Sequence, residues 1–167
     1  MTHTALPECT SCKILGQGFP CRTNGRLDLE RLVTTLLDFH RAFGANRRDD
    51  DEVNRLDWAY DCVSEITRRN PDLGVDLVIL GTRLVSDAED AGDLAAGALE
   101  DLIYYHGDAV IDRIEALAAA SARFRFVLSG VCPLGDENTE VWERALRAAE
   151  PGPRIDADDP LPPLKTP

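Results

Sequence analysis

Residues 97–131 read GALEDLIYYHGDAVIDRIEALAAASARFRFVLSGV, and the fold is decided by the periods inside this stretch. Ala98, Leu99, Leu102 and Ile103 recur at spacings of three and four, as do Val110, Ile111, Ile114, Leu117 and Ala118, the repeat of one apolar helix face. Gly107 is placed to end the first of these helices, near residues 94–106, and Asp108 to cap the second. Ser121 caps a third, short helix that presents Phe124, Val127 and Leu128 and is broken by Gly130 and Pro133.

Working outward, the same texture continues on both sides. Upstream, Leu29, Leu32, Val33, Leu36, Phe39 and Phe43 predict a helix over residues 28–43, with Asp28 as its cap and Gly44 at its end. After the polar link ANRRDDDE, Val53, Leu56, Ala59, Tyr60, Val63 and Ile66 predict a second helix over 51–69, with Cys62 beside the stripe. Asn70 before Pro71 is a stop-and-restart signal, because proline cannot continue a helix but suits the first turn of the next. The helix it opens, over 71–85, is apolar around most of its circumference, as expected of a central one. The acidic stretch SDAEDAGD reads as a link. Downstream, Val141, Trp142, Ala145 and Leu146 predict a last helix over 139–149.

These elements predict an all-α fold: a compact antiparallel bundle, or a short stack, of about six to seven helices in a domain spanning 27–149. Residues 1–26 hold three of the five cysteines with no usable periodicity and read as an irregular arm. Residues 150–167 are rich in proline and acid and read as a disordered or extended tail, because they offer too little apolar surface to offset the entropy of ordering.

Composition narrows the function classes. The chain has 167 residues, 44% hydrophobic and 29% charged, which suits one ordinary globular domain. Thirty acids against eighteen bases give a net charge of -12, which disfavours a phosphate backbone as partner and speeds encounter with a basic protein. No apolar run reaches the length of a membrane span, and the N-terminus carries neither the basic nor the apolar region of a secretory signal. A cytoplasmic location is the expectation, with the cysteines as thiols or metal ligands rather than disulfides.

The pattern Gly97, Leu99-Glu100-Asp101-Leu102, Gly107, Ile111-Asp112-Arg113-Ile114-Glu115, Ala118, Phe124-Arg125, Leu128 and Gly130-Val131 resembles a bacterial family of small helical domains of unknown function. Its members read as a GPLEDLL helix, an IDRIE helix, an FR pair and a VW. The resemblance extends upstream through Trp58, Asn70-Pro71 and residues 77–80, and covers about 28–148. This chain departs from it at Ala98, where the family has proline, and at Cys132, where it has tryptophan. The resemblance implies a helical fold and supplies no catalytic residues.

Among chemical candidates, Cys9-x2-Cys12 followed by Cys21 supplies three of the four sulfur or nitrogen ligands that structural zinc requires. His3, His40, Cys62 and Cys132 are the candidates for the fourth. Glu100, Asp101, Asp112 and Glu115 lie where Arg113, Arg123 and Arg125 can pair with them between helices, so they read first as braces. There is no Walker loop, dinucleotide fingerprint, nucleophile elbow or zinc-protease motif. The remaining candidates are two acidic runs in interhelical positions: Asp49, Asp50, Asp51 and Glu52, then Asp87, Glu89, Asp90 and Asp93. Together these features point to a non-catalytic acidic protein-binding module, in its specific form an immunity-type inhibitor of a toxin. The alternatives are a zinc-stabilised regulatory or accessory domain, and an enzyme with a Glu/Asp/His site built from Glu100, Asp112 and His106.

Overall fold

The computed structural model describes residues 20–44, 50–133, 139–152, 154–155 and 160–164. In chain order they form strands β1 (Arg22–Thr23) and β2 (Arg26–Leu27), then helices α1 (Leu29–Gly44), α2 (Asp50–Arg69), α3 (Pro71–Leu84) and α4 (Ala88–Leu94). A π-helical turn (Ala95–Leu99) leads into α5 (Glu100–Ala120), followed by α6 (Ala122–Leu128) and α7 (Thr139–Ala149). The fold is all-α, as the apolar periods predict. The chain divides into two compact units, residues 1–65 and 66–167.

In the first unit, β1 and β2 pair antiparallel around Asn24 and Gly25, whose φ values of 52° and 76° are the positive pair that a two-residue hairpin turn requires. Asn-Gly is a strong hairpin signal, so the arm expected to be irregular carries one ordered turn. Asp28 caps α1 as expected: its carboxylate accepts from the Arg31 backbone N–H at 3.0 Å and from the Thr23 hydroxyl at 2.7 Å. Those two hydrogen bonds, the backbone one first, hold its carboxyl below the usual aspartate range. Leu32, Val33, Leu36 and Leu37 form the buried face of α1. The predicted stripe is too wide at its end, since Phe43 is exposed. On α2 the buried residues of this unit are Val53, Trp58, Ala59, Cys62 and Val63, whereas Tyr60, expected inward, is exposed.

The second unit packs most extensively on α5, which meets α6, α7, the π-helical turn and the helix expected to be central, α3. Asn70 caps that helix, its side chain accepting from the Leu73 backbone N–H at 3.1 Å, with Pro71 in the first turn. Gly74 and Gly81 allow close approach: a Cβ at either would stand 2.7–2.8 Å from Leu102 or Leu94 side-chain atoms, which would have to shift. The stretch expected to be an acidic link is instead helix α4, started by Asp87. The two helices expected to meet at Gly107 do so: α5 is two helical segments joined at a kink at His106, whose backbone is non-helical (φ −135°, ψ 18°). Gly107, beside that kink, also serves close packing, because a Cβ there would lie 2.6 Å from Val141 of α7.

Ser121 caps α6 as predicted, accepting from the Phe124 N–H at 3.2 Å. Phe124, Phe126, Val127 and Leu128 are buried from that short helix, and Val141, Trp142, Ala145 and Ala149 from α7. Beyond α7 the described part of the tail has no regular structure and is tied at two points. Ile155 donates its N–H to the Ser129 hydroxyl at 3.0 Å, and the Pro162 carbonyl accepts from Arg123 at 2.7 Å.

Candidate functional site

The two acidic runs are helix starts. Asp50, Asp51 and Glu52 form the first turn of α2, all exposed, where carboxylates meet the positive end of the helix dipole. Glu52 also pairs with Arg55 at 3.0 Å. Asp49 lies outside the described residues. In the second run, Asp87 is the N-cap of α4 and accepts from the Asp90 N–H at 2.9 Å, while Glu89 is exposed and Asp93 half-buried. Asp90 turns inward and is only 2% exposed. Its carboxylate accepts from the Ser86 N–H at 2.7 Å and from the Ser86 hydroxyl at 2.8 Å. Asp87 thus accepts from the Asp90 backbone while the Asp90 side chain reaches back to Ser86, the residue before the cap, a relative of the capping box, and Asp90 does not belong to an exposed surface.

Cys9 and Cys12 lie outside the described residues, whereas Cys21 and Cys62 are buried and Cys132 is exposed. Among the described residues no group of three or more His, Cys, Asp and Glu side chains is arranged to hold a metal ion. Two of the three members of the supposed Glu/Asp/His site are engaged elsewhere. Glu100 accepts from the Cys132 N–H at 2.7 Å, and Asp112 takes Arg144 at 2.6 Å. The Nε2 atom of His106 is buried without a hydrogen-bond partner among the described residues.

The carboxylates of α5 do act as braces, but with other arginines than the neighbouring sequence suggests. Arg144 of α7 grips Glu115 in bidentate fashion, at 2.9 and 2.6 Å, as well as Asp112. The Arg144 hydrogen bond holds the Glu115 carboxyl below the usual glutamate range, and the same contact raises the arginine. Arg113 reaches Asp72 at 2.7 Å, and Arg68 reaches Asp101 at 3.3 Å. Arg123 and Arg125 pair with carbonyls, the latter with Ala118 at 2.5 Å.

One exposed feature of the second unit was not foreseen. Tyr104 and Tyr105 are 56% and 46% exposed on α5, edge to face with their centroids 4.9 Å apart. The Arg68 guanidinium lies 5.3 Å from the Tyr105 ring centroid while hydrogen-bonded to Asp101. An arginine fixed over a tyrosine by a carboxylate is ordered before any partner arrives, which lowers the entropy cost of association. The signal was present in the sequence: two consecutive aromatics that fall outside the stripe of Ala98, Leu99, Leu102 and Ile103. In the first unit a comparable group, Phe39, Phe43 and Tyr60, brings rings within 5.6–5.9 Å of Phe39, with Phe43 and Tyr60 exposed.

Among the described residues no helix is long and apolar enough to cross a membrane. A protein family of unknown function matches the chain over residues 46–151, starting further along than the resemblance near residue 28 suggests. No curated protein and no solved structure matches the chain.

Proposed function

The chain belongs to the DUF6869 family, whose function is unknown, and we propose that it is a non-catalytic, acidic protein-binding module. It acts in the cytoplasm on a basic protein rather than on nucleic acid, and its specific form is an immunity-type inhibitor that blocks a toxin's cationic site. The observation that carries this reading is the ordered patch of Tyr104, Tyr105, Arg68 and Asp101. Tyrosine and arginine are the side chains that most often dominate binding energy, and an exposed pair of rings gives an anchor around which a surface excludes water. The net charge of -12 supports the sign of the partner, since it would steer a cation-rich protein towards this chain.

The test is affinity capture from the native cell with the full chain and with the double variant Tyr104→Ala/Tyr105→Ala. The expected result is one basic protein retained in stoichiometric amount, released by salt, and lost with the double variant. No stoichiometric partner, or equal retention by the variant, rejects the reading.

A further inference from the structure

Away from the tyrosine patch, the second unit holds an open cavity of about 420 Å³ near the C-terminal ends of α5 and α7. Three arginines of a strongly acidic chain, Arg125, Arg144 and Arg147, line it together with Glu115 and Glu150. Each of the three has donors to spare. Arg144 uses Nε and Nη2 on Glu115 and Asp112, which leaves Nη1. Arg125 spends Nη1 on the Ala118 carbonyl and keeps Nε and Nη2. Arg147 is held only by a 3.6 Å contact from its Nη1 to Glu143, one turn back on the same helix.

Two of these guanidinium groups are therefore fixed in place before anything binds, and the third is loosely tethered beside them. The opposing charge is partly cancelled: both oxygens of Glu115 are occupied by Arg144, so Glu150 is the carboxylate left at the rim. Ala119, Ala148 and Pro151 complete the lining with apolar surface. The size lies in the range of small-molecule pockets, and planar guanidinium forks match the oxygens of carboxylates and phosphates.

We propose that this cavity binds a small organic anion, whose carboxylate or phosphate group meets Arg125, Arg147 and Nη1 of Arg144 while its apolar body lies against Ala119, Ala148 and Pro151. The site is separate from the tyrosine patch and does not depend on the protein-binding reading. Arg147 is the residue to change, because Arg125 and Arg144 also tie helices together.

The test is calorimetric titration of the full chain with benzoate and with phenyl phosphate, up to on the order of 10 mM, beyond the millimolar affinity typical of weak fragments. Saturable binding of at least one probe is expected, weakened at least tenfold by Arg147→Gln and retained by Arg55→Gln, with unfolding of the unliganded variants unchanged. No saturable binding of either probe overturns the proposal, as does binding that Arg147→Gln leaves intact. Arg147→Lys separates the fork from the charge: it should recover less than half of the lost affinity, and full recovery would reject recognition by a planar guanidinium.

Discussion

The two acidic runs at the starts of α2 and α4 look interchangeable in sequence, yet the described residues of one are all exposed and the other is half structural. Asp50, Asp51 and Glu52 extend into solvent in the first turn of α2. In the second run Asp87 and Asp90 are bonded to backbone N–H groups, and Asp90 is buried, whereas Glu89 remains outside. A run of carboxylates is therefore not a surface by itself. Among the described residues, what sets the second run apart is Asp90, whose carboxylate turns back onto Ser86.

The strongest way to break this contrast is Asp90→Ala. It removes the acceptor of both Ser86 bonds from a buried position, and bonds to a charged group contribute about 1.5–3 kcal/mol. A loss of about 2 kcal/mol is expected in urea unfolding at neutral pH. A variant as stable as the parent would return Asp90 to the outward group. Next comes Asp87→Ala, which deletes a helix cap at a cost of about 1 kcal/mol by the same measurement. Asp87→Asn should recover most of that loss, since asparagine caps as well as aspartate does.

A smaller and pH-dependent effect belongs to Glu115. Its folded pKa is lowered, chiefly by the Arg144 hydrogen bond, so its contribution is complete above the ordinary glutamate range and is lost as pH falls through the lowered value. Unfolding midpoints measured from about pH 6 down to about pH 3 should fall less steeply for Glu115→Gln than for the parent. The difference should shrink in high salt, because this carboxylate is solvent-accessible. Identical slopes would mean that the bridge does not hold in solution.

What the sequence made legible was local. Asp28, Asn70 and Ser121 are recognisable as caps because each bonds to a backbone group three residues on. Helix α4 is hard to see in the sequence because Gly92 and the acids dilute its apolar period. The break near Gly107 is legible from a glycine before an aspartate, whereas the packing of Val141 on that glycine is not. The partners of Asp112 and Glu115 were out of reach for a different reason. Arg144 stands 32 and 29 residues away, so only the packing of α7 on α5 selects it over the adjacent Arg113. The tyrosine patch depends equally on tertiary placement, because Arg68 comes from the end of α2 and the rings from α5.

The smallest stability effect gives the sharpest test of the outward carboxylates. Asp51→Asn and Glu89→Gln each remove one exposed charge near a helix N-terminus, where the dipole favours it by about 0.3–1 kcal/mol and salt screens it. Each should shift urea unfolding by no more than about 1 kcal/mol, and by less in high salt. The same two changes combined should slow association with a captured basic partner and flatten its dependence on salt, because exposed charges act mainly on encounter rates. Glu89→Gln that costs more than about 1 kcal/mol would place this residue with Asp87 and Asp90 as a structural group. An association rate untouched by both changes would remove the helix starts from the interface and leave Tyr104 and Tyr105 as its centre.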